Sequence, residues 1–229
     1  MNYVLHLTML LACSFLTSCK DSTSASQVNK AGNVTASANA LAAQDVEVIP
    51  PPTHSEGSGK MEIKDIVPEG YKLVSSQKGD LNKNGLDDAL VLVEEVGNTS
   101  MVLGQGAKRK LLVVVANAAG GYELARSNDK IVPCNTCGGV SGDPFGYMKI
   151  DAPGIFRLVV EGGSRERWSF EYLFSFDTQK QDWIAEKIEM ETVDEQDGRV
   201  VNKTLTGAEI PERRFETIDP EKLVQPVIE

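Results

Sequence analysis

The sequence predicts an all-β domain with little helix, built mainly from antiparallel strands in a meander, sandwich-like or propeller-blade-like arrangement. From about residue 61 to residue 207, β-branched and aromatic runs alternate with clusters of Gly, Pro, Asn and Asp, which is typical of all-β domains. No long segment shows the 3.6-residue periodicity of an amphipathic helix. The chain beyond residue 60 is long enough for one hydrophobic core and short for two.

The strands follow from the apolar runs and from the turn residues between them. Gly120-Gly121 and Pro153-Gly154 each predict a hairpin turn. We expect strands near residues 71–76, 89–96, 109–116, 121–127, 146–151, 155–161, 166–177 and 182–193.

The segment 166–177 has the clearest strand pattern. Its aromatic residues occupy alternate positions, so they face one side of an extended chain; they are Trp168, Phe170, Tyr172, Phe174 and Phe176. A row of this kind forms either a core wall or a platform on which sugar rings stack, and we favour the core wall.

The first residues have the features of an export segment. Residues 1–18 contain no Lys, Arg, Asp or Glu and are mostly apolar. They end in Leu16-Thr17-Ser18-Cys19, which resembles the lipobox of bacterial lipoproteins. This resemblance implies cleavage before Cys19, lipidation of its sulfur and, with Lys20 next, sorting to the outer membrane, on its periplasmic or surface side. An ordinary secretory signal is the alternative.

Low-complexity segments flank the predicted β domain. Residues 19–60 are rich in Ser, Ala, Thr, Asn and Gly and lack aromatic residues, which predicts a flexible tether stiffened at Pro50-Pro51-Pro52. His54 lies in this tether, where we expect a solvated side chain. Residues 208–229 form an acidic, proline-containing tail that we expect to be loosely held, with one short helical turn near Pro220.

A loop rich in side-chain oxygens, residues 80–88, leads directly into the apolar strand at 89–93. Its potential ligands stand at alternate positions and include one backbone carbonyl: Asp80, Asn82, Asn84, the Leu86 carbonyl and Asp88. Gly85 stands where a chain curling round an ion must turn sharply. Hard cations such as Ca²⁺ prefer oxygen ligands of this kind. A metal-free Asn/Asp/Gly turn is the alternative.

Two families contain calcium loops of similar spacing. An EF-hand carries a Glu where this chain has Val91, and a helix where this chain has a β-branched run. The loop instead resembles that of FG-GAP and VCBS repeats, Asp-x-Asn-x-Asp-Gly-x-x-Asp between two strands, with Asn84 at the third ligand position. Fewer charged ligands weaken binding, so we expect a Kd on the order of 10⁻⁴–10⁻³ M.

Two cysteines lie close together at Cys134 and Cys137, followed by Gly138-Gly139. In an exported protein we expect them to form a structural disulfide. A thioredoxin-like redox pair would need a helix directly after the first cysteine, and two glycines do not begin one. A structural zinc site would need four Cys or His ligands.

The order of the motifs resembles a group of exported bacterial lipoproteins with a single FG-GAP/VCBS-like loop. The resemblance covers roughly residues 65–194. It rests on five stretches in this order: Asp80 to Asp88, Cys134-x-x-Cys137-Gly138-Gly139, Gly142-Asp143-Pro144-Phe145, Gly162-Gly163-Ser164 and Arg167-Trp168-Ser169. It implies a fold and a location in the cell, and it implies no activity.

Several enzyme classes lack their characteristic residues. The glycine-rich segment 138–146 lacks the Lys-Ser/Thr of a P-loop, and a Ser/His/Asp triad would have to use His54 of the tether. A hydrolase that pairs Asp143 with Glu161, near Arg165, Arg167 and Trp168, is one alternative function. A thiol-redox protein that uses Cys134 and Cys137 is another.

The charge balance bears on possible partners. The formal net charge is −10, and an acidic chain without a basic patch is a poor ligand for nucleic acid. We therefore expect a membrane-anchored, non-enzymatic binding or structural module of the cell envelope, whose partner is another envelope protein or a glycan.

Overall fold

In the computed structural model, which describes residues 62–228, the chain forms two antiparallel β-sheets. This confirms the predicted all-β class with little helix, in its sandwich-like form. The predicted signal peptide, Cys19, the tether and His54 lie outside the described residues. The elements of the described range are α1 (Ile63–Ile66), β1 (Tyr71–Gly79), β2 (Asp88–Glu95), β3 (Arg109–Ala116), β4 (Tyr122–Asn128), β5 (Phe145–Ala152), β6 (Ile155–Gly163), β7 (Glu166–Asp177), β8 (Asp182–Asp194), β9 (Val200–Thr206) and the 3₁₀ turns Gly207–Glu209 and Pro220–Lys222.

Each sheet is a meander in which neighbours in sequence are neighbours in space. The first sheet has the order β1-β2-β3-β4, and the second has the order β5-β6-β7-β8-β9. Gly120 and Gly154 take the positive φ values of 82° and 74° in their turns, which confirms the two predicted hairpins. The expected strands all form, with ends within about three residues of the expected positions.

The main core lies between the sheets. Leu90, Leu92 and Leu111 of the first sheet belong to one buried cluster with side chains of β6, β7 and β8. The aromatic row of β7 lies in this core, and the Phe156 and Phe174 rings stack with centroids 4.9 Å apart. The row is therefore a core wall, as the sequence predicts, although Trp168 is only partly buried.

The strand β2 is buried on both of its faces. Leu90 and Leu92 face the second sheet, whereas Ala89, Val91 and Val93 belong to a second cluster that also contains Ile63 and Ile66 of α1. Burial on both sides explains why this strand is a continuous apolar run rather than an alternating one.

The structure has one strand that the sequence analysis missed. The strand β9, Val200–Thr206, pairs with β8 at the edge of the second sheet. Of its side chains, Leu205 alone is buried. An edge strand with a single buried side chain shows almost no apolar alternation, so the sequence pattern there is weak.

The expectation of a loosely held tail is wrong for the described residues beyond Pro211. Phe215, Ile218 and Leu223 belong to the main core. The Asn128 side chain donates hydrogen bonds to the carbonyl oxygens of Phe215 and Ile218, at 2.6 and 2.9 Å. The expected helical turn near Pro220 is present as a 3₁₀ turn. No helix within residues 62–228 has the length and apolar composition needed to cross a bilayer.

Candidate functional site

The loop 80–88 joins β1 to β2 and curls around the carboxylate of Asp80. The Asp80 oxygens accept hydrogen bonds from the backbone N–H groups of Asn82, Asn84 and Gly85, at 3.3, 3.1 and 3.0 Å. Gly85 has a φ of 80°, and Lys83 has a φ of 63°. The sharp bend that the sequence predicts at Gly85 is therefore present.

The two asparagines and one carbonyl continue the same chain of oxygens. The Oδ1 atom of Asn82 accepts from Asn84 N–H at 3.1 Å, and the Oδ1 atom of Asn84 accepts from Leu86 N–H at 2.8 Å. The Leu86 carbonyl accepts from Asp88 N–H at 3.1 Å. Each of these oxygens makes one hydrogen bond here and keeps a second lone pair.

Asp88, the last oxygen donor of the loop, is fully buried, with 0% of its surface exposed. Its two oxygens accept from Leu81 N–H at 2.9 Å and from Ala116 N–H at 2.8 Å. Burial raises the pKa of the Asp88 carboxyl, the N–H groups of Ala116 and Leu81 oppose that rise, and the charge of Asp80 adds to it. A nearby cation would have the opposite effect on this pKa.

The donor set suits a hard cation. It consists of two carboxylates, two amide oxygens and one backbone carbonyl, and Ca²⁺ takes ligands of these types. Within residues 62–228 no cluster of three or more His, Cys, Asp or Glu side chains is arranged to hold a metal. The proposed donor set contains two carboxylates and takes its other oxygens from amides and a backbone carbonyl, so it does not form a cluster of that kind.

The loop is also fastened to the second sheet. The indole of Trp183 donates to the Leu81 carbonyl at 2.7 Å, and Gly154 N–H donates to the Asp80 carbonyl at 2.8 Å. The Lys83 ammonium donates to the Phe176 carbonyl at 3.3 Å. The predicted metal loop therefore joins the two sheets of the sandwich. Sequence reasoning missed this role because the partners lie 74 or more residues away in the chain.

Cys134 and Cys137 form a disulfide, with Cα atoms 5.0 Å apart. In the described range no helix begins at Cys134, and residues 138–142 form turns. The segment between the cysteines holds the β2–β3 loop. Thr136 donates its hydroxyl to the Val102 carbonyl at 2.9 Å, and the Asn135 side chain accepts from Ala107 N–H at 2.9 Å.

The disulfide segment and the β2–β3 loop also fit closely against each other. A Cβ atom at Gly106 would stand 2.0 Å from the Asn135 side-chain oxygen and 2.6 Å from the Thr136 hydroxyl. In the same loop, the side chains of Met101, Val102 and Leu103 are exposed. The disulfide therefore braces a loop that presents three apolar side chains to solvent.

Asp143, one of the two possible catalytic carboxylates, is bound to a buried arginine. Arg109, which is 3% exposed, donates to Asp143 Oδ2 at 2.6 Å and to Glu94 Oε2 at 2.8 Å. Burial acts to raise the pKa of Asp143, but hydrogen bonds from Arg109 and Phe145 N–H outweigh it and hold that pKa below its ordinary value.

The backbone of Glu161, the other possible catalytic carboxylate, lies close to the residue that follows Asp143. The two carboxylates are not hydrogen-bonded to each other. Glu161 N–H donates to the Pro144 carbonyl at 2.8 Å, whereas its side chain is exposed. Arg165, expected nearby, is paired with Asp194 at 2.9 Å. An ionised Asp143 held by an arginine lacks the raised pKa of a general acid.

A cleft of about 670 Å³ lies beside the disulfide. Its lining mixes basic side chains such as Lys108 and Lys130 with acidic ones such as Asp129 and Glu221. Lys130 is itself paired with Asp219 at 2.8 Å. The balance of charges gives no preference for an anionic or a cationic ligand.

Comparisons with protein-family models, with curated proteins and with solved structures each gave no match. The resemblances to calcium-loop repeats and to bacterial lipoproteins therefore remain predictions from the residues quoted for them.

Proposed function

We propose that this protein is a lipid-anchored, non-enzymatic binding or structural module of the bacterial cell envelope, whose β-sandwich is fastened by one Ca²⁺ ion. The ion is held by the side chains of Asp80, Asn82, Asn84 and Asp88 and by the Leu86 carbonyl. The partner is another envelope protein or a glycan.

One observation carries the calcium proposal, namely the environment of Asp88. Its carboxylate is fully buried, and it is hydrogen-bonded to the backbone N–H groups of Leu81 and Ala116, with the Asn82 N–H also acting on it; all three groups are neutral. A buried carboxylate without a cation nearby is costly. A Ca²⁺ ion shared with Asp80 would offset that cost and the repulsion between the two carboxylates.

The position of the loop explains what the ion would do. The loop contacts the second sheet through Trp183, Gly154 and Phe176. Calcium would therefore stabilise the joint between the sheets. At free calcium of 10 to 100 times the Kd, binding adds about 1.4 to 2.7 kcal/mol to the free energy of unfolding.

The experiment is thermal unfolding of the full-length protein in millimolar calcium and in EDTA. We expect a higher Tm in calcium, and we expect Asp80→Ala to remove the difference. Asp87→Asn is the matched control, because Asp87 is exposed and adjacent but is not among the proposed ligands. An equal Tm with and without calcium in the wild-type protein would refute the proposed Ca²⁺ site.

The lipid anchor is tested separately, by labelling cells with a palmitate analogue. We expect the wild-type protein to incorporate the label and Cys19→Ser to lose it. Cys13→Ser is the matched control within the same apolar segment and should keep the label. Label retained in Cys19→Ser would exclude lipidation at that residue.

A further inference from the structure

The β2–β3 loop carries three consecutive exposed apolar side chains, which we call the apolar tip. They are Met101, Val102 and Leu103, with exposed fractions of 85%, 57% and 58%. Single apolar residues scattered over a surface are normal, whereas contiguous ones indicate contact with another molecule. Val140, in the segment that follows the disulfide, is exposed as well. The apolar tip therefore has the character of a docking surface.

The surroundings of the apolar tip lack ionisable side chains. Residues 96–107 and residues 131–142 contain no Asp, Glu, Lys, Arg or His, although 24% of the chain is charged. The two segments meet, since the Thr136 hydroxyl donates to the Val102 carbonyl at 2.9 Å and Gly104 N–H donates to the Thr136 carbonyl at 3.0 Å. This end of the sandwich can therefore approach hydrocarbon without the cost of burying a charge.

Much of the backbone around the apolar tip is hydrogen-bonded within the protein. Val102 N–H donates to the Ser100 hydroxyl at 3.3 Å. The Val102 carbonyl accepts from the Thr136 hydroxyl at 2.9 Å and from Gln105 N–H at 3.0 Å. The Asn98 side-chain amide donates to the Gln105 carbonyl at 3.1 Å. Water is scarce among acyl chains, and backbone groups without partners are costly there. The loop therefore meets a requirement of the membrane interface that a solvated loop need not meet.

The charges that border this end are of both signs. Glu95 and Lys108 flank the first uncharged segment, and Lys130 and Asp143 flank the second. A balanced rim, on a chain with a net charge of −10, gives no attraction to an anionic surface. The lipid surface that fits is therefore zwitterionic, and we expect contact with it to be insensitive to salt.

The first strand of the sandwich begins at the same end as the apolar tip. Gly70, directly before β1, accepts a hydrogen bond from Val96 N–H at 2.8 Å. Cys19 and the predicted tether precede Gly70 in the chain. The loop 80–88 lies at the opposite ends of β1 and β2. The proposed calcium site and the apolar tip therefore lie at opposite ends of the first sheet.

We propose that the apolar tip inserts into the boundary between the headgroups and the acyl chains of a zwitterionic phospholipid bilayer, and so orients the domain on the membrane. The inference rests on the lipid anchor of the proposed function, which brings the domain to the bilayer. A protein partner fits less well, because Trp, Tyr and Arg usually anchor protein interfaces and neither uncharged segment contains one.

The experiment measures tryptophan fluorescence on phosphatidylcholine vesicles. The chain from Cys19 onward is coupled through the Cys19 thiol to a maleimide-bearing lipid, while Cys134 and Cys137 are joined as a disulfide and do not react. In Val102→Trp we expect the added fluorescence, relative to wild type, to shift to shorter wavelength. We also expect lipids brominated on their acyl chains to quench it, equally at low and high salt. Leu124→Trp is the matched control, because Leu124 of β4 is 51% exposed, and it should show neither effect.

The outcomes separate insertion of the apolar tip from other contacts. Fluorescence that is neither shifted nor quenched would overturn the proposal, and Leu103→Trp decides the matter if Val102→Trp fails to fold. Equal quenching in Leu124→Trp would overturn it too, since the domain would then touch the bilayer without a preferred surface. Quenching that high salt abolishes would contradict an apolar contact.

The coupling to lipid is chemical, so the result does not depend on lipidation in cells. Quenching of Val102→Trp together with a failure of palmitate labelling would refute the anchor at Cys19 and support the apolar tip. Labelling without quenching would support the anchor and refute the apolar tip.

Discussion

The indole N–H of Trp183 donates a hydrogen bond to the carbonyl oxygen of Leu81 at 2.7 Å. Leu81 lies in the oxygen-rich loop between β1 and β2 of the first sheet, and Trp183 lies near the start of β8 in the second. Both residues belong to the main core. This one bond therefore connects the proposed calcium loop to the opposite half of the sandwich.

Replacing Trp183 with Phe should destabilise the protein by about 1–3 kcal/mol beyond the loss of packing, because the buried Leu81 carbonyl loses its partner. The measurement is urea unfolding in the presence of calcium. Trp168→Phe is the control, since the Trp168 indole makes no hydrogen bond within the described range and is only partly buried. Equal losses for the two variants would contradict this role of Trp183.

The stabilisation by calcium should grow as the pH rises. Burial raises the pKa of Asp88, so in EDTA its contribution to stability is complete below the ordinary value of about 4. That contribution is lost as the pH rises through the higher pKa that Asp88 has in the folded protein. Calcium must displace the same proton, so its binding strengthens over that interval.

The measurement is the Tm in calcium minus the Tm in EDTA, followed from acidic to neutral pH. Carboxyls such as Asp143 and Asp194 have lowered pKa values, so their contributions to stability change with pH in the opposite direction. These contributions are the same in both buffers and cancel when the difference in Tm is taken. A calcium increment that stays constant with pH would mean that Asp88 is not a ligand.

Replacing Arg109 with Met should destabilise the protein by about 3–5 kcal/mol, because Glu94 would remain buried without its main partner. Asp143→Asn should cost less, since about half of the Asp143 side chain is exposed. Urea unfolding of both variants measures the contrast. If Asp143→Asn costs as much as Arg109→Met, leaving the buried Glu94 without Arg109 is not the main cost, and this account of the cluster is wrong.

Reduction of the Cys134–Cys137 disulfide should loosen the β2–β3 loop. Gly104 N–H donates to the Thr136 carbonyl at 3.0 Å, and Ala107 N–H donates to the Asn135 side chain at 2.9 Å. We expect faster hydrogen exchange at these two amides in the Cys134→Ser/Cys137→Ser variant. The global stability should fall by about 2 kcal/mol or less, because the closed loop is short.

Amides in the centre of β7 serve as the internal reference for that exchange experiment, because β7 lies in the other sheet. Unchanged exchange at Gly104 and Ala107 would show that the disulfide does not brace the loop.

The fold was predictable where a single strand carries its own pattern. The alternating aromatics of β7 and the continuous apolar run of β2 each reveal their burial locally. The tail was not predictable, because Phe215, Ile218 and Leu223 fill the core from an acidic, proline-broken segment without strand or helix periodicity.

Some features of the candidate site were likewise predictable from the sequence, and others were not. The ligand spacing of the 80–88 loop is visible in nine consecutive residues. The partner of Asp143 was not visible, because Arg109 lies 34 residues away at the start of β3, whereas Asp143 lies in the segment before β5. The Tyr172 hydroxyl is buried without a hydrogen-bond partner within residues 62–228. This could not be found from an alternating pattern, since that pattern gives the direction of a side chain but not its hydrogen-bond partners.

Native mass spectrometry of the full-length protein in millimolar calcium tests the central claim most directly. We predict one bound Ca²⁺ ion in the wild-type protein and in Asp87→Asn, and none in Asp80→Ala. A wild-type protein that carries no calcium under these conditions would contradict the account.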